Sequence, residues 1–296
     1  MSYGSGAYIY EIASDWGTLP NGHEFNQVAG VAVDQEDKVY IFNRSDHQVM
    51  ILDRQGNFLT AWDANFSNPH GIHIGPDGNI YLADRDAHVV HKYSPDGKLT
   101  LTLGTLGKPS NTGYDLDEKI VKRVAGPFNL PTGIAVNEEG YIFVSDGYGN
   151  ARVHKYSPTG SHMLSWGTAG KINPGQFHLP HGICLDNDGL VLVCDRENNR
   201  IQVFTQDGDF EGLISELLQP TDVCVGPNSE LYIAELGHRM TILDQNWNVV
   251  SRWGGEKSHN PGQFVAPHGV AIDSHGDLYI GEVLEGRRIQ KFIRQK

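Results

Sequence analysis

The sequence predicts an all-β protein, a six-bladed β-propeller closed by its own N-terminal strand. Three observations carry that expectation. A short stretch, clearest as Phe177-His178-Leu179-Pro180-His181-Gly182-Ile183, recurs six times, with the other copies at 25–31, 66–72, 128–134, 217–223 and 264–270. Each copy is followed by short runs of alternating apolar and polar residues, with turn signals at intervals of roughly ten residues, as antiparallel strands require. The period of roughly 40 residues matches a four-stranded propeller blade.

The N-terminal piece, residues 8–17, precedes any full repeat and ends in Trp16-Gly17. Trp166-Gly167 and Trp253-Gly254 end later repeats in the same way. The adjoining spacer also recurs: Asn173-Pro174-Gly175-Gln176-Phe177 matches Asn260-Pro261-Gly262-Gln263-Phe264, and Asn21-Gly22-His23-Glu24-Phe25 is a looser copy. The piece therefore reads as the last strand of a repeat whose other strands lie elsewhere. Blade two shows the full pattern. Its first strand is expected at 71–74, and Pro76-Asp77-Gly78 supplies tight-turn chemistry. The second strand comes at 80–83 and ends at Asp84. The third is expected at 89–93, before the turn Ser94-Pro95-Asp96-Gly97, and the fourth at 99–103. Residues 104–127 interrupt the rhythm with a long polar insertion, which either covers the mouth of the ring or is solvated. Blade six begins at Phe264 and has room for only three strands, the third at 289–293. The N-terminal strand supplies the fourth and removes two unpaired edges. The expected organisation is one domain, residues 1–296, with blades starting near 25, 66, 128, 177, 217 and 264.

Composition narrows the partners. The 296 residues carry 23 Lys and Arg against 36 Asp and Glu, a formal charge of −13. A nucleic-acid footprint needs a basic face, so none is expected. No apolar run approaches the ~20 residues of a membrane-spanning helix. The N-terminus lacks the basic and apolar regions of a signal peptide. Cys184, Cys194 and Cys224 fall in expected strands, where buried reduced thiols are favoured over a disulfide. A cytoplasmic protein is expected.

The fifth residue of the repeated stretch carries the chemistry. In chain order it is Ala29, His70, Thr132, His181, Thr221 and His268. Histidine occupies alternate copies, and alternate blades of six stand about 120° apart. Three imidazoles would converge on the ring axis. A single His after proline would mean nothing among 14 histidines; strict alternation gives the set its meaning. Three histidines with an open fourth position form the ligand set of a catalytic Zn²⁺, although imidazole also suits Fe, Co, Ni and Cu.

The end of the second strand is the next place to look. The copies read Asn43-Arg44, Asp84-Arg85, Asp146-Gly147-Tyr148, Asp195-Arg196, Glu235-Leu236 and Glu282-Val283. The acidic residue is a general repeat feature, with the expected role of holding neighbouring backbone. The residues after it differ between copies, and Arg44, Arg85, Tyr148 and Arg196 stand out there. Arg85 would add to a cationic rim and is left outside the candidate set.

With these residues in view, the chain resembles NHL-repeat propellers and, more closely, the lyase domain of the peptidylglycine α-amidating enzymes. The Pro-His-Gly stretches and Asn-Pro-Gly-Gln-Phe spacers carry the first resemblance. The segments 131–133, 144–152 and 195–202 carry the second, which covers nearly the whole chain. The resemblance implies that His70, His181 and His268 bind a catalytic zinc, that Tyr148 is the active-site tyrosine, and that Arg44 and Arg196 are the catalytic arginines. There are also departures. Asn129 and Gly149 stand where a family disulfide is expected, which suits a reducing compartment. Gly269 replaces an aspartate implied to hold structural calcium, so no calcium is expected there. No monooxygenase domain precedes the propeller in this sequence, so the expected substrate need not be a peptide.

The reaction implied is cleavage of a carbinolamide, N–CH(OH)–COO⁻, to an amide and glyoxylate or a related α-oxo acid. Tyr148 would be the base. One arginine would support it and the other grip the substrate carboxylate, with Arg44 and Arg196 not assigned between the roles. The expected ligand is thus a small molecule bearing a carboxylate and an α-hydroxyl. The alternative is a non-catalytic NHL propeller that binds a protein or ligand, with structural histidines. A lactonase-like hydrolase ranks last, because such sites resemble carboxylate and Asn calcium sites.

Overall fold

The computed structural model describes residues 1–62 and 65–295. Among them the regular elements are β-strands, apart from one 3₁₀ turn at Arg196–Asn198. Five sheets have four strands each, a sixth has five, and a short two-stranded ribbon pairs Thr168–Ala169 with Gln176–Phe177. The fold is a six-bladed β-propeller with the N-terminal strand paired into the last blade's sheet. The chain divides into two compact units. One, residues 66–220, holds blades two, three and four; the other, residues 1–65 and 221–296, holds blades one, five and six.

Blade two follows the expected plan with strands Pro69–Ile74, Ile80–Asp84, Val89–Tyr93 and Leu99–Gly104. The first begins two residues earlier than expected because Pro69 already pairs with Asp84. Its missing N–H costs nothing at a strand's first position.

The hydrophobic cores lie between neighbouring sheets of one unit. In the 66–220 unit, Tyr81, Leu103 and Phe128 pack with Ile134 and Tyr156, and Phe143 packs with Phe177 and Phe204. Phe128, Phe177 and Phe264, each leading a repeated stretch, therefore reach into the preceding blade. This explains the Trp-Gly ends. Gly167 and Gly254 have φ of 102° and 87°. A Cβ there would stand 2.7 Å from the Phe177 ring and 2.9 Å from the Phe264 ring. Only glycine meets both demands.

The acidic residue closing the second strand holds backbone, as expected. Asp84 accepts from Ser67 N and Asn68 N, Asp195 from His178 N, and Glu282 from Val265 N. These carboxylates are buried, so each needs such donors.

The N-terminal strand is Tyr8–Ile12, shorter than the expected 8–17, and pairs antiparallel with Arg288–Arg294. An additional strand, Ser2–Ser5, pairs outside it. Tyr10 is fully buried and stacks on Trp253 at 5.8 Å. Deleting residues 1–17 should therefore cost about 3 kcal/mol or more, from lost aromatic burial alone. Chemical denaturation checks this; an unchanged unfolding midpoint would contradict the pairing.

Two titratable groups on the blades' first strands give opposing pH dependences. Val136 N donates to His73 Nε2 (3.3 Å), and burial pushes that imidazole down to about 4 from 6.5. It stays neutral in the fold while the unfolded chain protonates, so its stabilising contribution is complete above pH 6.5 and is lost as pH falls toward 4. Asp222 stands where the other five copies have glycine, and accepts from Val223 N and Val270 N. Burial pushes its carboxyl up to about 7 from 3.8, so its contribution is complete below 3.8 and is lost as pH rises toward 7. Each slope reaches at most about 1.4 kcal/mol per pH unit. Asp222→Asn should therefore make stability rise with pH, relative to wild type, between pH 4 and 6.5; His73→Gln should make it fall. Denaturation midpoints at three pH values check this, and parallel profiles for all three proteins would contradict it.

Candidate metal and catalytic site

The fifth position of the repeated stretch has a structural role that the sequence did not disclose. In the 66–220 unit, His70 Nδ1 donates to Thr132 O (2.8 Å), and Thr132 Oγ1 donates to Pro180 O (2.9 Å). In the other unit, Thr221 Oγ1 donates to Pro267 O (3.0 Å), and His268 Nδ1 donates to Ala29 O (2.7 Å). Each of these side chains ties one blade's first strand to the next blade's. The available signal was that five of the six copies carry a hydrogen-bond donor there.

For the histidines this bond also fixes chemistry. A carbonyl only accepts, so Nδ1 carries the proton and Nε2 is left as a lone-pair donor. That is the arrangement in which a protein holds a metal-ligating imidazole. His70 and His181 are each 1% exposed, with ring centroids 4.7 Å apart. His268, in the other unit, is also buried. Buried imidazoles, with Nδ1 of His70 and His268 spent on carbonyls, fit a divalent transition metal.

Tyr148 is built into the same unit as His70 and His181 by a local departure from the repeat. Gly147 intervenes between the acidic residue and the functional side chain. A Cβ on Gly147 would lie 1.8 Å from Pro180 O, so only glycine lets this backbone pass blade four. Tyr148 N then donates to Leu130 O (3.4 Å). The phenol oxygen lies 3.4 Å from His70 Nε2 and 3.5 Å from His181 Nε2.

Arg196 opens the 3₁₀ turn Arg196–Asn198, which ends at Asn199 with φ 55°. Asp195 organises this turn, accepting from Asn198 Nδ2, Arg200 Nε and Gln202 Nε2. Arg196 Nη1 donates to Tyr148 Oη (3.2 Å), while its Nε and Nη2 both lie 2.9 Å from Glu197 Oε1.

The structure thus brings together His70, Tyr148, His181 and Arg196, and adds Arg85. The Arg85 guanidinium carbon lies 4.8 Å from the Tyr148 ring centroid, against 5.3 Å for Arg196. Burial alone would lower the Arg85 guanidinium, but Asp86 and Tyr148 outweigh it and hold it above its ordinary value. Arg44 and His268 lie in the other unit, where Arg44 Nη1 donates to Gln27 Oε1 (3.0 Å).

The insertion at 104–127 is anchored rather than loose at its centre. Thr112 is fully buried and accepts from Asn129 Nδ2 (2.8 Å), which also donates to Ser110 O (3.2 Å). Gly149 N donates to Asn129 O (3.0 Å), so the two positions where the resemblance implies a disulfide are indeed neighbours. Tyr114, on the insertion, is half-buried; Leu106, Leu116 and Ile120 are exposed. Cys184, Cys194 and Cys224 are free.

The NHL repeat model matches residues 66–93, 128–156 and 177–204. The chain is 30% identical to peptidyl-α-hydroxyglycine α-amidating lyase 1 of Drosophila melanogaster, over 97% of this chain and 60% of that protein. It is 31% identical to a probable peptidyl-α-hydroxyglycine α-amidating lyase of Caenorhabditis elegans, over 90% of this chain and 82% of that one. A streptogramin B lyase structure superposes with a TM-score of 0.65 at 16% identity, covering 92% of this chain and 97% of that one, a likeness of fold alone. The coverage and identity to the C. elegans protein decide the matter: this chain belongs to the peptidyl-α-hydroxyglycine α-amidating lyase family of NHL-repeat propellers.

Proposed function

We propose that the protein is a metal-dependent carbon–nitrogen lyase that cleaves a carbinolamide of the α-hydroxyglycine type into an amide and glyoxylate. The observation that carries this reading is the Tyr148 oxygen, set against His70 Nε2, His181 Nε2 and the Arg196 guanidinium at 3.2–3.5 Å. His70, His181 and His268 would hold one divalent transition metal, with zinc the first choice for three imidazoles. When bound there, such an ion supplies Lewis-acid polarisation of a substrate oxygen.

The chain's own residues supply the remaining needs. The reaction removes the proton of the carbinol hydroxyl, breaks the C–N bond and returns a proton to the amide nitrogen. No water is consumed. Tyr148 takes the hydroxyl proton as general base and is placed to return it to nitrogen. Arg196 donates to that phenol oxygen, which as the base bears its charge before the first transfer and again after the second. Arg44 remains the second arginine of the set, toward the carboxylate. A cytoplasmic site of action is part of the proposal and rests on the sequence reading.

Product identity tests the reaction class. With α-hydroxyhippurate as substrate, a lyase yields benzamide and glyoxylate. A hydrolase cutting the amide yields benzoate, and the released hydroxyglycine can still give glyoxylate. Benzamide is therefore the diagnostic product, read by chromatography against the spontaneous rate. Enzyme-dependent benzoate in its place would overturn the lyase reading.

A further inference from the structure

Four blades open their third strand with arginine, and blade three holds its copy differently from the rest. Arg200, Arg239 and Arg288 stand in register with Asp195, Glu235 and Glu282, the acidic residues that close their second strands. In each pair Nε donates to the carboxylate, at 2.7, 2.9 and 2.7 Å. Arg152 stands in the same register with Asp146. There, however, Asn129 N, Asn150 Nδ2 (2.8 Å) and His154 Nε2 (3.4 Å) occupy the carboxylate instead. Arg152 Nε is left buried with no hydrogen-bond partner among the described residues. We propose that Arg152 and His162, both braced on Ser165, form a binding site for a dianionic oxyanion, a phosphoryl or sulfo group, on the last two strands of blade three. The site shares no residue with the cluster around Tyr148, and the proposal does not rest on the lyase reading.

Ser165 holds both groups. It stands opposite His154 across the paired strands Arg152–Tyr156 and His162–Trp166. Its carbonyl accepts from Arg152 Nη2 (2.8 Å). Its Oγ lies 2.7 Å from His154 Nδ1 and 2.7 Å from His162 Nε2. A hydroxyl has one proton to give, so at least one of these imidazoles donates to it. His154 is fully buried and spans Ser165 and Asp146, which fixes it as the floor of the cluster. His162 is exposed, and Ser165 engages only its Nε2. A guanidinium and a second, accessible imidazole are thus pinned to one serine.

The electrostatics leave this cluster without a counter-ion. Burial alone holds the Arg152 guanidinium below its ordinary value, and no acidic group among the described residues offsets it. Burial, His154 and Arg152 all hold the His162 imidazole down, again with no carboxylate in opposition. In a chain of net charge −13, that is an unusual place for cationic groups to lack an acid. A bound oxyanion supplies the missing partner. It accepts charge-assisted hydrogen bonds from the guanidinium and favours the protonated form of His162. Two cations match a dianion, and donors on two neighbouring strands meet different oxygens of a tetrahedral group.

Titration calorimetry at constant ionic strength tests this. The probes are sulfate, inorganic phosphate and phenyl phosphate, at about pH 6, where an imidazole readily takes up a proton. Wild type should bind sulfate with a Kd of about 1 mM or tighter, and acetate at least about tenfold more weakly. Arg152→Met should weaken sulfate by about tenfold or more, and His162→Gln by at least about threefold. Phenyl phosphate bound as well as inorganic phosphate identifies an esterified phosphoryl group as the ligand; inorganic anions bound alone identify a free one. Wild type that binds none of the three probes would overturn the proposal. So would equal affinity in wild type and both variants, because the anion would then sit elsewhere, the three histidines included. If Arg152→Met does not fold, His162→Gln decides, since an exposed side chain is replaced there; unchanged sulfate affinity in it would likewise overturn the site.

Discussion

Tyr148→Phe should lower kcat on an α-hydroxyglycine amide by roughly 10²-fold or more, the usual scale for losing a general base. The variant removes one oxygen and little else. The ring, the Gly147 close approach and the Arg85 contact are all retained, so the fold and the bound metal should be unchanged. KM should change far less than kcat, because the lost contact acts on a proton in transit. Arg196→Ala should also lower kcat, since it removes the donor at 3.2 Å from the phenol oxygen. The two effects should be less than additive, because both act through the same oxygen. A Tyr148→Phe protein as active as wild type would remove Tyr148 from the chemistry while leaving the metal proposal intact.

Each of His70→Ala, His181→Ala and His268→Ala should weaken metal binding by at least about 10²-fold, more than the loss of an outer hydrogen-bond partner. Purified wild type should carry about one transition metal per chain, and each variant should carry far less. The repeat itself argues that these variants fold, because Ala29 occupies the same position in blade one. His70→Ala and His268→Ala should also lose about 1 kcal/mol of stability, from the Nδ1 bonds to Thr132 O and Ala29 O. Metal analysis by mass spectrometry together with thermal unfolding separates these effects. Full metal content in all three variants would make the histidines purely structural.

Much of the fold was legible because repetition makes it so. Six copies of one stretch, and a last repeat one strand short, led to the pairing of Tyr8–Ile12 with Arg288–Arg294. The outer strand Ser2–Ser5 was not anticipated, since a four-residue run with Gly4 inside it carries no readable period. Alternation along a strand identifies which residues turn inward but not which sheet they meet, and Phe128 and Phe177 cross to the preceding blade.

The site was legible to a lesser extent. Alternating histidines were visible as a pattern, but their Nδ1–carbonyl bonds were not, because the acceptors are main-chain atoms 62 and 239 residues away. Arg85 and Arg196 look alike in sequence, each following the blade's acidic residue. Each is clamped through its Nε by the next residue, Asp86 or Glu197, a pairing that the repeat pattern does not disclose. Tyr114 sits in an insertion with no repeat register, and its backbone is tied through Thr112 to Asn129.

The most direct test of the lyase proposal is benzamide formation from α-hydroxyhippurate by zinc-loaded and chelator-treated protein, each measured against the spontaneous breakdown of the substrate. A metal-dependent lyase gives benzamide well above background with zinc, falls to background after chelation, and recovers when zinc is restored. Zinc-loaded wild type that never exceeds background, across several N-acyl groups, would contradict it.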